Sequence, residues 1–127
     1  MFYSDELMDN LLDTSLKYVM RDADGTSENA NMVCGDIVRI YIKVREGVIT
    51  EASTDTTGCA VSVAASNCAA KMLTGLKITE AVKLTGRDIK AQIGRIPDEN
   101  NVCLDLVIKA VRAALSDYEK RQSLQGN

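Results

Sequence analysis

The side chains able to carry chemistry are four cysteines, Cys34, Cys59, Cys68 and Cys103, in a chain with no histidine and no tryptophan. Without an imidazole there is no Ser-His-Asp or Cys-His nucleophilic machinery. The commonest neutral metal ligand is missing too, and with it every zinc pattern that uses histidine. No two cysteines have the Cys-x-x-Cys spacing, so zinc-ribbon, thioredoxin-like and ferredoxin patterns are absent. What remains is the chemistry of thiolates and carboxylates: holding a metal, and attacking sulfur.

The neighbours of the thiols separate them. Cys34-Gly35-Asp36 puts a thiol and a carboxylate two residues apart at the entrance to a strand. In an extended chain those positions share a face, so the pair suits a metal, and Gly35 lets the backbone deviate. Cys59 follows Gly58 where a helix should start, and Cys103 follows the polar Asp98 to Asn101 segment at the start of another. The free N–H groups and partial positive charge of a helix N-terminus stabilise a thiolate, which predicts lowered thiol pKa values there. Cys68 lies in mid-helix within the small-residue run Ala64 to Ala70. It is about 900° of helix from Cys59, hence on the opposite side, and is expected to be a small core residue. Two disulfides are the other use of four cysteines, and a reducing compartment disfavours them.

The elements that must position these groups follow from periodicity. Leu7, Leu11, Leu12, Leu16, Val19 and Met20 predict an amphipathic helix over residues 5–20, and residues 21–31 a polar, turn-rich connection. Ile37 to Val44 is β-branched and partly alternating, a strand. Arg45-Glu46-Gly47 is its hairpin turn and Val48 to Asp55 the returning strand. A helix is expected from Ala60 to Leu73 with Gly75 as its stop, then short helices over Ile78 to Leu84 and Asp88 to Ile93. After the Pro97 to Asn101 loop, Leu104, Val107, Ala110, Val111, Ala114, Leu115 and Tyr118 form the apolar stripe of a last helix, with residues 121–127 a frayed polar tail. The expected architecture is α+β: a small antiparallel sheet with helices packed on one face, in a single domain over residues 1–127.

With 46% hydrophobic and 26% charged residues, the composition is that of a globular protein. The net charge of −3 argues against a nucleic-acid partner, because neutralising phosphates needs a surplus of Lys and Arg. The segment Met1 to Glu6 carries carboxylates where a secretory signal would carry lysine, and no stretch approaches eighteen apolar residues. A cytoplasmic protein with no membrane attachment is expected.

Asn29-Ala30-Asn31-Met32-Val33-Cys34-Gly35-Asp36 resembles the Asn-Pro-x-Cys-Gly-Asp signature of the IscU/NifU N-domain family of iron–sulfur cluster scaffolds. Thr57-Gly58-Cys59 through Ser66 is similar to that family's Gly-Cys-x-x-x-x-Ala-Ser stretch. Gly75 falls at its helix stop, Cys103 with Leu106 and Ala110 at its terminal-helix cysteine, and Tyr3-Ser4-Asp5 at its opening. The resemblance covers about residues 3–119. It implies a scaffold, not an enzyme, on which Cys34, Cys59 and Cys103 hold a labile [2Fe–2S] cluster or iron. Asp36 either tunes the cluster's lability or ligates. Sulfur would come from a cysteine desulfurase, with Cys103 the candidate persulfide acceptor, and clusters would pass to recipient iron–sulfur apoproteins.

Three segments depart from the pattern. Val102 stands where the family has histidine before the last cysteine. Ile96-Pro97-Asp98-Glu99-Asn100 replaces Leu-Pro-Pro-Val-Lys, so the heat-shock-class chaperone that reads that motif should reject this chain. Asn10-Leu11-Leu12-Asp13 replaces His-Tyr-x-x-Pro-Arg-Asn. The SufU branch also lacks the histidine and binds Zn2+ through three cysteines and the aspartate; its insertion before the last cysteine is absent here. The alternatives implied are thus a zinc-binding sulfur acceptor, or a regulatory, partner-binding relative that no longer transfers clusters. A cluster shared between two copies in a homodimer is also compatible with a three-cysteine rim.

Overall fold

The computed structural model describes residues 3–125. In chain order the elements are α1 (Asp5–Leu12), β1 (Gly25–Asn31), β2 (Asp36–Arg45), β3 (Val48–Thr54), α2 (Ala60–Leu73), α3 (Ile78–Ala81), α4 (Gly86–Ile93) and, after a 3-10 turn over Asp98–Asn100, α5 (Asn101–Leu124). The strands form one antiparallel sheet in the order β1-β2-β3. This is the expected α+β arrangement.

β2 builds both faces of the sheet. Val38, Ile40 and Ile42 are fully buried on one face, against α2 and α5. On the other face Arg39 meets Glu28 at 2.8 Å and Lys43 meets Asp22 at 2.6 Å. These pairs are partly exposed and contribute little stability, so the sheet owes its orientation to the aliphatic face. The β2–β3 turn takes its two central residues, Glu46 and Gly47, to φ of 52° and 77°. That mirror-image turn matches the twist of the strands it joins.

α2 is buried nearly all round, including Ser62, Ser66 and Asn67. Its alanines and serines let it approach sheet and helices closely, and its polar side chains are bonded. Ser66 accepts from Thr56 at 2.8 Å, and Asn67 donates to the Asn10 carbonyl at 2.8 Å. In α5 the expected stripe from Leu104 to Leu115 is buried, and Tyr118 packs against the same core.

Four expectations need correction. The first helix stops at Leu12 instead of reaching residue 20. Asp13 accepts from the Ser15 N–H at 3.0 Å and pairs with Lys71 at 2.8 Å, turning the chain. Leu16 then offers its carbonyl to the Thr54 N–H at 2.9 Å, along the edge of β3. Leu16, Val19 and Met20 therefore keep a helical spacing without lying in a helix. Second, residues 25–31 are a strand, not a turn-rich connection. Ser27 faces α5 and donates to the Ala110 carbonyl at 2.7 Å, and Asp117 of α5 takes the Thr26 backbone N–H at 2.9 Å. Third, the last helix continues to Leu124, because Arg121 pairs with Asp117 at 2.9 Å and reaches the Ala23 carbonyl at 3.0 Å. The end of the expected tail, residues 126–127, lies outside the described residues, as do residues 1–2. Fourth, the helix expected over Ile78 to Leu84 is a single turn ending at Ala81.

Gly25 sits where β1 touches α5, and a Cβ there would fall 2.5 Å from the Ala114 carbonyl oxygen. A backbone atom in a packed helix cannot yield. Gly25→Ala is expected to cost about 1–3 kcal/mol, read as a lower urea midpoint at unchanged m value.

Candidate metal centre

Asp36 is the first residue of β2 and only 1% exposed. A buried carboxylate is costly unless hydrogen bonds replace its water. Its Oδ1 accepts the Cys59 backbone N–H at 3.0 Å, and its Oδ2 accepts the Ser62 hydroxyl proton at 2.6 Å. Both donors belong to the start of α2, where Cys59 is the N-cap and Ser62 the third helical residue. The segment before α2 is clamped to β2 by paired backbone bonds between Ile37 and Thr57, at 2.8 and 2.9 Å. The approach is so close that a Cβ on Gly58 would lie 2.2 Å from Asp36 Oδ1. Glycine is required there by space.

Two thiols join this carboxylate. Cys59 opens to solvent, while Cys103, in the first turn of α5, is buried. The Cys59 and Cys103 sulfurs are 3.6 Å apart, and they lie 3.6 and 3.8 Å respectively from Asp36 Oδ2. A tetrahedral zinc with ordinary bond lengths separates two thiolate sulfurs by about 3.8 Å, and a sulfur from a carboxylate oxygen by about 3.5 Å. The three atoms are thus spaced as ligands of one metal ion, and the donor set of two sulfurs and one oxygen suits zinc or iron.

Electrostatics sets the resting state. Burial works against ionising Asp36, but the hydrogen bonds from Ser62, from the Cys59 N–H and from the Cys34 and Cys59 thiols together outweigh it and hold the carboxyl below its ordinary range. For Cys103 burial pushes the thiol up, and the neighbouring Cys59 adds to this, against the opposing influence of the nearby Ser62 hydroxyl and Asn100 amide. The expectation that a helix start would lower this thiol is therefore corrected. Desolvation exceeds the effect of the helix end.

Cys34 does not join the ligand-spaced group. It lies in the turn before β2, exposed, with Gly35 at φ 77° and its own sulfur 3.9 Å from the Asn31 carbonyl. The extended spacing expected between Cys34 and Asp36 is not adopted, because a left-handed glycine stands between them, although the Cys34 thiol still comes near enough to help hold the Asp36 carboxyl down. Cys68 is buried with its sulfur 3.7 Å from that of Met72, and burial pushes its thiol up to about 11. That is the core role expected. Val102 is half-exposed beside Cys103, and Met32 and Val33, 89% and 97% exposed, flank Cys34.

Sequence reasoning missed Ser62 and Asn100. Asn100 directs its amide at the Cys103 sulfur, at 3.6 Å. A signal for Ser62 was present. A residue three after an N-cap faces back toward that cap, so Ser62 had to face the Cys59 end of α2.

Residues 2–125 match the family described as the NifU-like N terminal domain. The chain is 35% identical over 119 residues to the iron–sulfur cluster assembly scaffold protein IscU 1 of Archaeoglobus fulgidus, covering 94% of this chain and 78% of that one. Two solved structures share the fold. One, from Fervidobacterium islandicum AW-1, is assigned as an iron–sulfur cluster assembly scaffold for the SUF system. It superposes with a TM-score of 0.72 at 20% identity, covering 89% of this chain and 96% of its own. The other is the N-terminal part of a NifU-like protein of Brucella abortus, with a TM-score of 0.73 at 18% identity, covering 93% and 94%.

Two measurements check the site's construction. Gly58→Ala should displace the Asp36 carboxylate and weaken zinc binding by about tenfold or more, with the circular dichroism spectrum kept. With Ellman's reagent, Cys34 and Cys59 should react at once and Cys68 only after unfolding.

Proposed function

The chain belongs to the NifU-like N-terminal domain family, and on that premise we propose that it is an iron–sulfur cluster assembly scaffold whose cluster is held by Cys34, Cys59 and Cys103 with Asp36. The supporting observation is the ligand-spaced group of Asp36 Oδ2 and the Cys59 and Cys103 sulfurs. Three different elements deliver these atoms to one point near the surface. Cys34 supplies the third thiolate from its exposed turn, closing over a metal that the other three donors have taken up. Building and handing on a cluster makes the chain a carrier rather than an enzyme.

Sulfur arrives as the persulfide of a cysteine desulfurase, with Cys103 as acceptor. The Cys103 thiolate attacks the outer sulfur, the sulfur–sulfur bond of the donor breaks, and the donor leaves as a thiolate. An external reductant must then supply two electrons to turn that sulfur into bridging sulfide. Burial keeps Cys103 protonated at rest, so the attack waits until metal uptake removes its proton. A hard carboxylate among soft thiolates makes a weaker and therefore more releasable site.

The second reading, a zinc-binding sulfur acceptor, is favoured by one feature. The two sulfurs and the oxygen already stand at tetrahedral zinc spacing, with no histidine to complete a different set. Acidic Asp98 and Glu99 in the 3-10 turn before α5 support function without the usual chaperone.

Anaerobic reconstitution with iron and sulfide separates the readings. Stoichiometric iron and acid-labile sulfide with visible charge-transfer absorption is expected, lost in Cys59→Ser and Cys103→Ser and kept in Cys68→Ser. Tight zinc with no sulfide uptake refutes the scaffold and establishes the sulfur acceptor.

A further inference from the structure

The oxygen of Asp36 that faces the two thiols is shared. Oδ2 lies 3.6 and 3.8 Å from the sulfurs of Cys59 and Cys103, and the same atom accepts the Ser62 hydroxyl proton at 2.6 Å. Ser62 is fully buried, on the inner face of α2. Its oxygen is also 3.5 Å from the Cys59 sulfur, but a hydroxyl has one proton, and here it goes to the carboxylate.

We infer that Ser62 is a positioning residue that keeps the bond between Asp36 and a bound metal weak, so that the metal is held for release. A carboxylate oxygen has two lone-pair directions. Ser62 occupies one and draws charge from the other, leaving Oδ2 a poorer donor to the ion. Orientation of the carboxylate does not need this bond. Oδ1 is fixed by the Cys59 N–H at 3.0 Å, the backbone of Gly58 abuts the carboxyl group, and β2 is clamped by the Ile37–Thr57 pair. Loss of an outer hydrogen-bond partner usually weakens metal binding, because the ligand loses its aim. Here the aim is supplied twice, and the expected sign is reversed.

The inference rests on Asp36 being a metal ligand, as proposed above, and its test uses zinc and cobalt alone, with no sulfide or partner. Zinc-loaded wild type, Ser62→Ala and Ser62→Thr are mixed with excess chromogenic pyridylazo chelator and the release followed. Ser62→Ala should release zinc about three- to tenfold more slowly, the range set by the net worth of one hydrogen bond, and Ser62→Thr, which keeps the hydroxyl, at the wild-type rate. The cobalt(II) form of Ser62→Ala should show shifted visible bands, since the oxygen donor has changed. Equal or faster release from Ser62→Ala, or unshifted cobalt bands, overturns the role of Ser62 and leaves the metal site standing. A wild-type protein that takes up no zinc refutes the metal site and this inference with it.

Discussion

A charged carboxylate with almost no access to water is the constraint on which the rest of this structure depends. Asp36 could be buried only by finding donors to replace its hydration, and the donors it found include the backbone N–H of Cys59, the N-cap of α2, and the hydroxyl of Ser62. Those bonds fasten the start of β2 to the start of α2. They also explain Gly58, where any side chain would collide with the carboxylate, and the backbone pairing of Ile37 with Thr57 that closes the same joint. The two thiols are then placed by the elements that meet at this joint, Cys59 as the cap of α2 and Cys103 on the first turn of α5.

The same constraint gives the centre its mixed character. Two of its donors are buried and one is open, and the fourth candidate, Cys34, is on an exposed turn flanked by Met32 and Val33. The inner wall is rigid because it is part of the core. The outer wall is a short turn held by the left-handed Gly35 and by Asn31, which accepts the Val33 and Gly35 N–H groups at 2.9 and 2.8 Å. A centre with one rigid wall and one exposed wall can be preformed for an ion and still be reached by another molecule.

Legibility followed how local the determining forces were. β2, its turn and β3 were legible because alternation, β-branching and Glu46-Gly47 act within the hairpin. α2 was legible from its small residues and α5 from its apolar stripe. α1 was overextended because Leu16, Val19 and Met20 keep a helical spacing by coincidence, while the Asp13 side chain, bonded to Ser15 and Lys71, turns the chain first. β1 was missed because Gly25 to Asn31 carries no apolar period. Its place is set by a helix more than eighty residues away in sequence, through Asp117 and the Ala110 carbonyl.

The sequence by itself determined the ingredients: no imidazole, three thiols near element ends, one thiol in a helix interior, and an aspartate two residues after a cysteine. It determined the family as well, since order and spacing of those residues are local facts. Only the tertiary structure decided which of them meet. It brought Asp36, Cys59 and Cys103 to ligand spacing and left Cys34 on its turn. It also reversed the expected effect on Cys103, because the helix end acts within one turn whereas desolvation depends on everything packed around the sulfur. Ser62 shows the division most clearly. Its spacing from Cys59 could be counted along the chain, but the carboxylate it serves comes from the other side of the core.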